Sequence, residues 1–126
     1  MFRIDERNLF DELGLEKLKE LSRAFYTKVY ADKDPEFRSM FPDDMEMAIQ
    51  NQYEFFAQRL GGPPLYSRRK GHPALRARHA RFHITRRHAE RWLGYMRKAM
   101  MEVEIPEDAR QRMDEFFTDT AYFMQN

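Results

Sequence analysis

Gly61-Gly62-Pro63-Pro64 stops any helix or strand that reaches it. Glycine leaves the backbone too free to hold a regular element, and proline fixes φ and lacks an N–H. The break falls near the middle of 126 residues, so regular segments must pack from either side of it. Upstream, Leu18, Leu21, Phe25 and Val29 fall at i, i+3, i+7 and i+11, and predict a helix over Leu15 to Tyr30. A short helix from Asp5 to Leu13 precedes it, closed by Gly14. Asp34-Pro35 starts a short turn or helix that ends near Phe41-Pro42, and Asp43 or Asp44 caps a helix to about Leu60.

Downstream, Leu65 to Gly71 is polar, basic and without a period, so an irregular stretch is expected from Gly61 to Pro73. Pro73 can open a short helix to about Ala80. Thr85 caps a long helix to Met101, with Trp92, Met96, Ala99 or Met100, and Val103 as its apolar stripe. Pro106 opens a last helix to about Met124, with Ala109, Met113, Phe116, Phe117, Thr120 and Phe123 or Met124 inside. No segment alternates polar and apolar over six residues. The expected class is all-α, a single domain over residues 1–126 with five or six helices.

Composition narrows what such a domain does. Charged residues at 34%, with no long apolar window, exclude a membrane span, and aromatics at 14% exclude wholesale disorder. The chain is too short for a (β/α)8 barrel. Without cysteine there is no disulfide, no thiolate metal site and no Cys nucleophile. Met1-Phe2-Arg3-Ile4-Asp5-Glu6-Arg7 lacks the apolar run of a secretory signal, and a cytoplasmic protein is expected. The net charge is +1, but residues 61–91 carry nine Arg and Lys against the single acid Glu90. That stretch is either a solvated face or a surface for something anionic.

All four histidines, His72, His79, His83 and His88, lie in or beside this basic region. His79 and His83 have the i, i+4 spacing that can bind zinc, but the glutamate of a zinc hydrolase and a third ligand are missing. More informative are polar residues inside apolar stripes. Gln52 sits between Ala48 and Phe55-Phe56, Tyr26 adjoins Phe25, and Trp92 lies on the stripe of its own helix. Each alone can find a backbone partner. Together, from three helices, they suggest a buried polar ligand, because an unpaired buried amide costs about 1–3 kcal/mol. One histidine, an apolar cavity and a few donors are what a haem site needs. Arginines would meet its two propionates by charge-assisted contacts.

The order Gly61-Gly62-Pro63-Pro64-Leu65-Tyr66, Gly71-His72-Pro73, then Leu75-Arg76-Ala77-Arg78-His79-Ala80-Arg81-Phe82-His83-Ile84 resembles the truncated haemoglobins, most closely their second group. Phe25-Tyr26, Phe41-Pro42-Asp43-Asp44 and Glu90-Arg91-Trp92-Leu93 extend the likeness from about Leu9 to Phe123. The resemblance implies a two-over-two arrangement of helices around haem b. It implies His79 as the proximal iron ligand, Tyr26 as the distal tyrosine, Trp92 as the tryptophan that marks the group, and Phe41 as the corner aromatic. Ala48 falls where longer globins have the distal histidine, and Gln52 at the other distal polar position. Arg78 matches a propionate partner, with Tyr66 and Arg76 as weaker ones. Asn51 falls where some members have a basic propionate partner, so one anchor is expected to be lost. His83 is not a family position and is expected at the surface. Phe55, Phe82, Ile84 and Met96 complete the expected cofactor-binding set.

The function so implied is binding of O2, NO and CO at a five-coordinate iron with slow O2 release; oxygen transport, storage and sensing are left open as its role, and so tight a hold suits delivery poorly. The rival is a haem enzyme with NO dioxygenase or peroxidase-like activity, which needs a reductase or an oxidant. A nucleic-acid-binding domain would use the same basic stretch, but Tyr66 and Phe82 are too few for a stacking platform. Neither nucleic acid nor a membrane is expected as a partner, and the chain is expected as a monomer or homodimer.

Overall fold

The computed structural model describes residues 8–73 and 82–125, and its regular elements there are all helices. In order they are α1 (Leu9–Leu13), α2 (Leu15–Tyr30), α3 (Pro35–Arg38), α4 (Met45–Arg59), α5 (Leu65–Lys70), α6 (Arg86–Glu102) and α7 (Glu107–Phe123). Among the described residues this makes seven, one or two more than the sequence suggests. The short helix expected from Pro73 to Ala80 lies mostly outside them.

Two of the four long helices, α4 and α6, start where side chains satisfy free amides of the first turn. Asp44 Oδ1 accepts from the Met47 amide at 3.2 Å, so Asp44 caps α4. Thr85 and His88 form a reciprocal box at the start of α6. Thr85 Oγ1 accepts from the His88 amide at 3.3 Å, and His88 Nδ1 accepts from the Thr85 amide at 3.2 Å. Asn8 caps α1, so that helix starts at Leu9 and not at Asp5, while residues 5–7 lie outside the described ones.

The irregular reading of Leu65 to Gly71 is overturned by α5. Six residues are too few to display a 3.6-residue period. The turn is closed from a distance instead: Gln58 of α4 accepts the Ser67 amide at 3.0 Å and donates to the Ser67 hydroxyl at 2.8 Å. At the end of α7 the sequence leaves Phe123 or Met124 as the inward residue, and the structure chooses between them. Phe123 is exposed, and Met124 turns inward in its place.

Helix α2 packs on α4 and α6, α6 packs on α7, and α4 carries α5. The predicted stripe of Leu18, Leu21, Phe25 and Val29 is wholly buried. Each such side chain contributes about 1.5–3 kcal/mol by leaving water. Gly61 turns the chain at φ +101°, and Asn8 Nδ2 donates to its carbonyl at 3.1 Å, tying α1 to the break. Among the described residues no helix is long and apolar enough to cross a membrane.

Candidate functional site

A cavity of about 290 Å3 opens among α2, α4, α5, α6 and α7. Helix α2 contributes Tyr26, α4 contributes Ala48, Asn51, Gln52 and Phe55, and α5 contributes Tyr66. Phe41 closes it at the turn after α3, Ile84 lies just before α6, and Trp92 enters from α6. Behind the opening the aromatic rings form a continuous wall. Phe25 lies 4.9 Å from Tyr26 and 5.0 Å from Trp92, Tyr26 lies 6.0 Å from Phe41, and Trp92 lies 5.7 Å from Phe117.

Three polar side chains of the lining, Tyr26, Gln52 and Trp92, have no hydrogen-bond partner among the described residues. Gln52 is buried and its Oε1 is unsatisfied. The Tyr26 hydroxyl and the Trp92 indole N–H likewise make no bond to the described protein. Other tyrosines differ: Tyr30 donates to the Pro42 carbonyl and Tyr95 to Asp32. Burial, reinforced by the neighbouring Tyr30, holds the Tyr26 hydroxyl above the ordinary phenol range, so at neutral pH it is a protonated donor. An unpaired buried amide is costly, and its persistence here points to an occupant that the protein atoms do not include.

A family model of bacterial-like globins matches residues 8–126. The chain belongs to the bacterial-like globins, as a group II truncated haemoglobin. The two-on-two hemoglobin-3 of Arabidopsis thaliana is 54% identical over 125 residues, 98% of this chain and 71% of that one. The group 2 truncated hemoglobin 3-1 of Lotus japonicus is 50% identical, over 98% of this chain and 74% of its own. Among solved structures, the truncated oxygen-avid haemoglobin of Bacillus subtilis superposes with a TM-score of 0.89 at 37% identity, covering 95% of this chain and 100% of that one. The two-over-two fold expected from the sequence is the fold of this chain.

In this globin the structure brings Tyr26, Phe41, Ala48, Gln52, Phe55, Tyr66, Ile84 and Trp92 to one cavity. Met96 of α6 is fully buried in the core and is not among the lining residues, and half-buried Phe82 is not among them either. Arg76, Arg78 and His79 lie outside the described residues. Exposed His72 and His83 agree with a surface reading, and no group of three metal-ligating side chains forms among the described residues.

The sequence reading missed His88, which is buried and lines the cavity. Because its Nδ1 accepts from Thr85, the ring proton sits on Nε2, which faces Glu36 Oε1 at 3.5 Å. Both nitrogens therefore have partners outside the cavity lining, Thr85 and Glu36. The deeper walls, Phe116, Phe117, Thr120 and Ala121 of α7, also went unassigned, because a stripe that fills a core has the same spacing as one that lines a cavity.

Proposed function

We propose that this globin binds haem through His79 as the only protein ligand to a five-coordinate iron, and holds O2 by hydrogen bonds from Tyr26, Gln52 and Trp92. The observation that carries the reading is the set of three unpartnered polar side chains, from α2, α4 and α6, turned into one apolar cavity. The residues present fit haem. A porphyrin needs apolar and aromatic walls, and the Tyr26 O–H, the Trp92 N–H and the Gln52 amide N–H are donors suited to a polar diatomic ligand. Haem, when bound, supplies an iron with one position open to a diatomic ligand.

The chain supplies the rest. O2 gathers partial negative charge on binding, and the protonated Tyr26 and the Trp92 indole can only favour that charge. Either end of the Gln52 amide can be turned to the ligand. Each good bond contributes about 0.5–1.5 kcal/mol, so two or three together slow O2 release by about tenfold to a hundredfold or more. Oxygen avidity, the property named for the Bacillus subtilis relative, is the expectation here as well.

The absorption spectrum of the protein supplied with haem tests this directly. A Soret band is expected in the wild type and in His72→Ala, His83→Ala and His88→Ala, with haem lost or weakly held in His79→Ala. Normal ligation in His79→Ala would overturn the ligand assignment. Mixing the oxygenated protein with NO then separates carrier from enzyme: rapid turnover sustained by a reductase would favour NO dioxygenation.

A further inference from the structure

We propose that Tyr95 and Asp32 form a redox-active pair behind the cavity wall, through which electrons pass from donors in solution toward the haem when a hydroperoxide is reduced there. The inference rests on the haem reading above and concerns residues outside the cavity lining.

Tyr95 of α6 stands one aromatic ring away from the cavity. Phe37 lines the cavity, and the Tyr95 ring lies against it with centroids 6.1 Å apart. Phe37 also lies 5.2 Å from Phe41, whose ring is 6.0 Å from that of Tyr26. Tyr95 is not itself among the lining residues and is only half-buried, so part of it meets solvent.

A phenol gives up an electron readily only if its proton leaves at the same time, because the oxidised ring is a strong acid. The proton needs an acceptor within hydrogen-bond reach. The Tyr95 hydroxyl has one, since it donates to Asp32 Oδ2. Arg91 Nη1, 2.9 Å from the same oxygen, keeps this buried carboxylate ionised and so able to take a proton. Tyr30 is placed differently: its hydroxyl donates to the Pro42 carbonyl, a very weak base. Tyr26 and Trp92 line the cavity itself, but neither has a described acceptor for its proton. An oxidising equivalent that starts in the cavity therefore comes to rest at Tyr95.

Haem, when bound, supplies the centre at which the O–O bond of the hydroperoxide is cleaved. Over one cycle the hydroperoxide accepts two electrons and two protons and leaves as an alcohol and water. Two molecules of a one-electron donor supply the electrons, and water supplies the protons. Tyr95 carries each electron in turn. The electron leaves the ring toward the cavity as the phenolic proton moves to Asp32. The donor then refills the ring, and Asp32 returns the proton.

The test mixes the haem-loaded ferric protein with hydrogen peroxide, freezes it rapidly and records the electron paramagnetic resonance spectrum. A tyrosyl radical is expected, narrowed when the protein carries ring-deuterated tyrosine. The signal should be lost in Tyr95→Phe and kept in Tyr30→Phe. Peroxide-driven oxidation of ferrocyanide, a bulky one-electron donor, should lose most of its rate in Tyr95→Phe as well. Asp32→Asn keeps an acceptor for the Tyr95 hydroxyl but no base for its proton, and should weaken the radical at equal haem loading. In the unsubstituted protein, a nitroso spin trap followed by peptide mass mapping should mark Tyr95, a result that depends on no variant folding well. A radical that survives Tyr95→Phe would overturn the proposal. So would spin-trap adducts at Tyr26 or Trp92 with none at Tyr95, an unchanged ferrocyanide rate in Tyr95→Phe, or a Soret-bearing wild type without a tyrosyl radical. A full radical yield in Asp32→Asn would overturn Asp32 as the proton acceptor. A wild type that shows no Soret band fails at the earlier step, and with it the haem reading.

Discussion

Arg91 donates from Nη1 to both carboxylate oxygens of Asp32 at 2.9 Å each, fastening the turn after α2 to the middle of α6 one residue from Trp92. The Asp32 side chain is 3% exposed and accepts two more bonds, from the Tyr95 hydroxyl and from the Asp34 amide at 2.7 Å. A buried carboxylate is costly alone, but four donor contacts satisfy its lone pairs. The position of Trp92 over the cavity is thereby tied to a polar link made by Arg91 and Tyr95, the residues next to it and one turn on along α6.

This link predicts acid sensitivity with a definite sign. Burial alone would raise the Asp32 carboxyl, but the bonds from Tyr95, Asp34 and Arg91 and the guanidinium charge outweigh it and hold the group below the usual carboxylate range. Its stabilisation is then complete above the unfolded value of about 3.9 and is lost as pH falls through the lower folded value. Asp32→Asn should cost about 1–3 kcal/mol at pH 7. The gap between variant and wild type should narrow below about pH 4, in urea unfolding at fixed haem loading. A gap that stays constant into acid would assign the loss to shape and not to charge.

Two glycines predict substitutions of opposite sign. A Cβ at Gly62 would stand 2.6 Å from Phe10 Cγ and 2.8 Å from the Ala57 carbonyl oxygen, and the carbonyl cannot move without disturbing the end of α4. Gly62→Ala should therefore destabilise by about 1–3 kcal/mol. Gly94 lies inside α6 with open space where a Cβ would go, and Gly94→Ala should stabilise by about 0.5–1 kcal/mol. Urea midpoints measured side by side check both; a tolerated Gly62→Ala would mean that α1 can shift away from the break.

How much of this could be read beforehand depended on length and on distance along the chain. Helices α2, α4, α6 and α7 are long enough to show a period, and Asp44, Thr85 and Pro106 mark their starts locally. Helix α5 was illegible because its order comes from Gln58, nine residues away, and not from its own pattern. His88 was passed over because a capping box normally carries Glu or Gln at that place, and an imidazole does the same work. Tyr26, Gln52 and Trp92 stood out because polarity inside an apolar stripe has few innocent explanations. The clamp of Arg69 on Asn51 and Glu54 joins two helices across the Gly61-Gly62 break, and no linear pattern announces it.

Gln52 sets stability against ligand binding. Its buried Oε1 without a partner costs about 1–3 kcal/mol unless an occupant of the cavity meets it. Gln52→Leu keeps roughly the same volume and removes the orphaned group. The variant should gain about 1 kcal/mol in urea unfolding at equal haem loading, while O2 leaves it faster. A loss of stability would show that the amide has a partner in the folded chain.

Tyr26 and Trp92 reach the cavity from different helices but lean on the same ring, with Phe25 4.9 Å from one and 5.0 Å from the other. Tyr26→Phe removes only a hydroxyl, and Trp92→Phe keeps an aromatic but removes the indole N–H. Each should speed O2 release by about twofold to twelvefold, the equivalent of one bond of 0.5–1.5 kcal/mol. CO gathers less charge on binding, so its release should change less in both variants, and stopped-flow displacement of each gas measures the difference. If the two donors serve one ligand, the double variant should depart from the product of the single effects, because losing one bond lets the ligand re-aim toward the other. Unchanged O2 release in both single variants would make Tyr26 and Trp92 packing residues and remove the hydrogen-bonding account of the cavity.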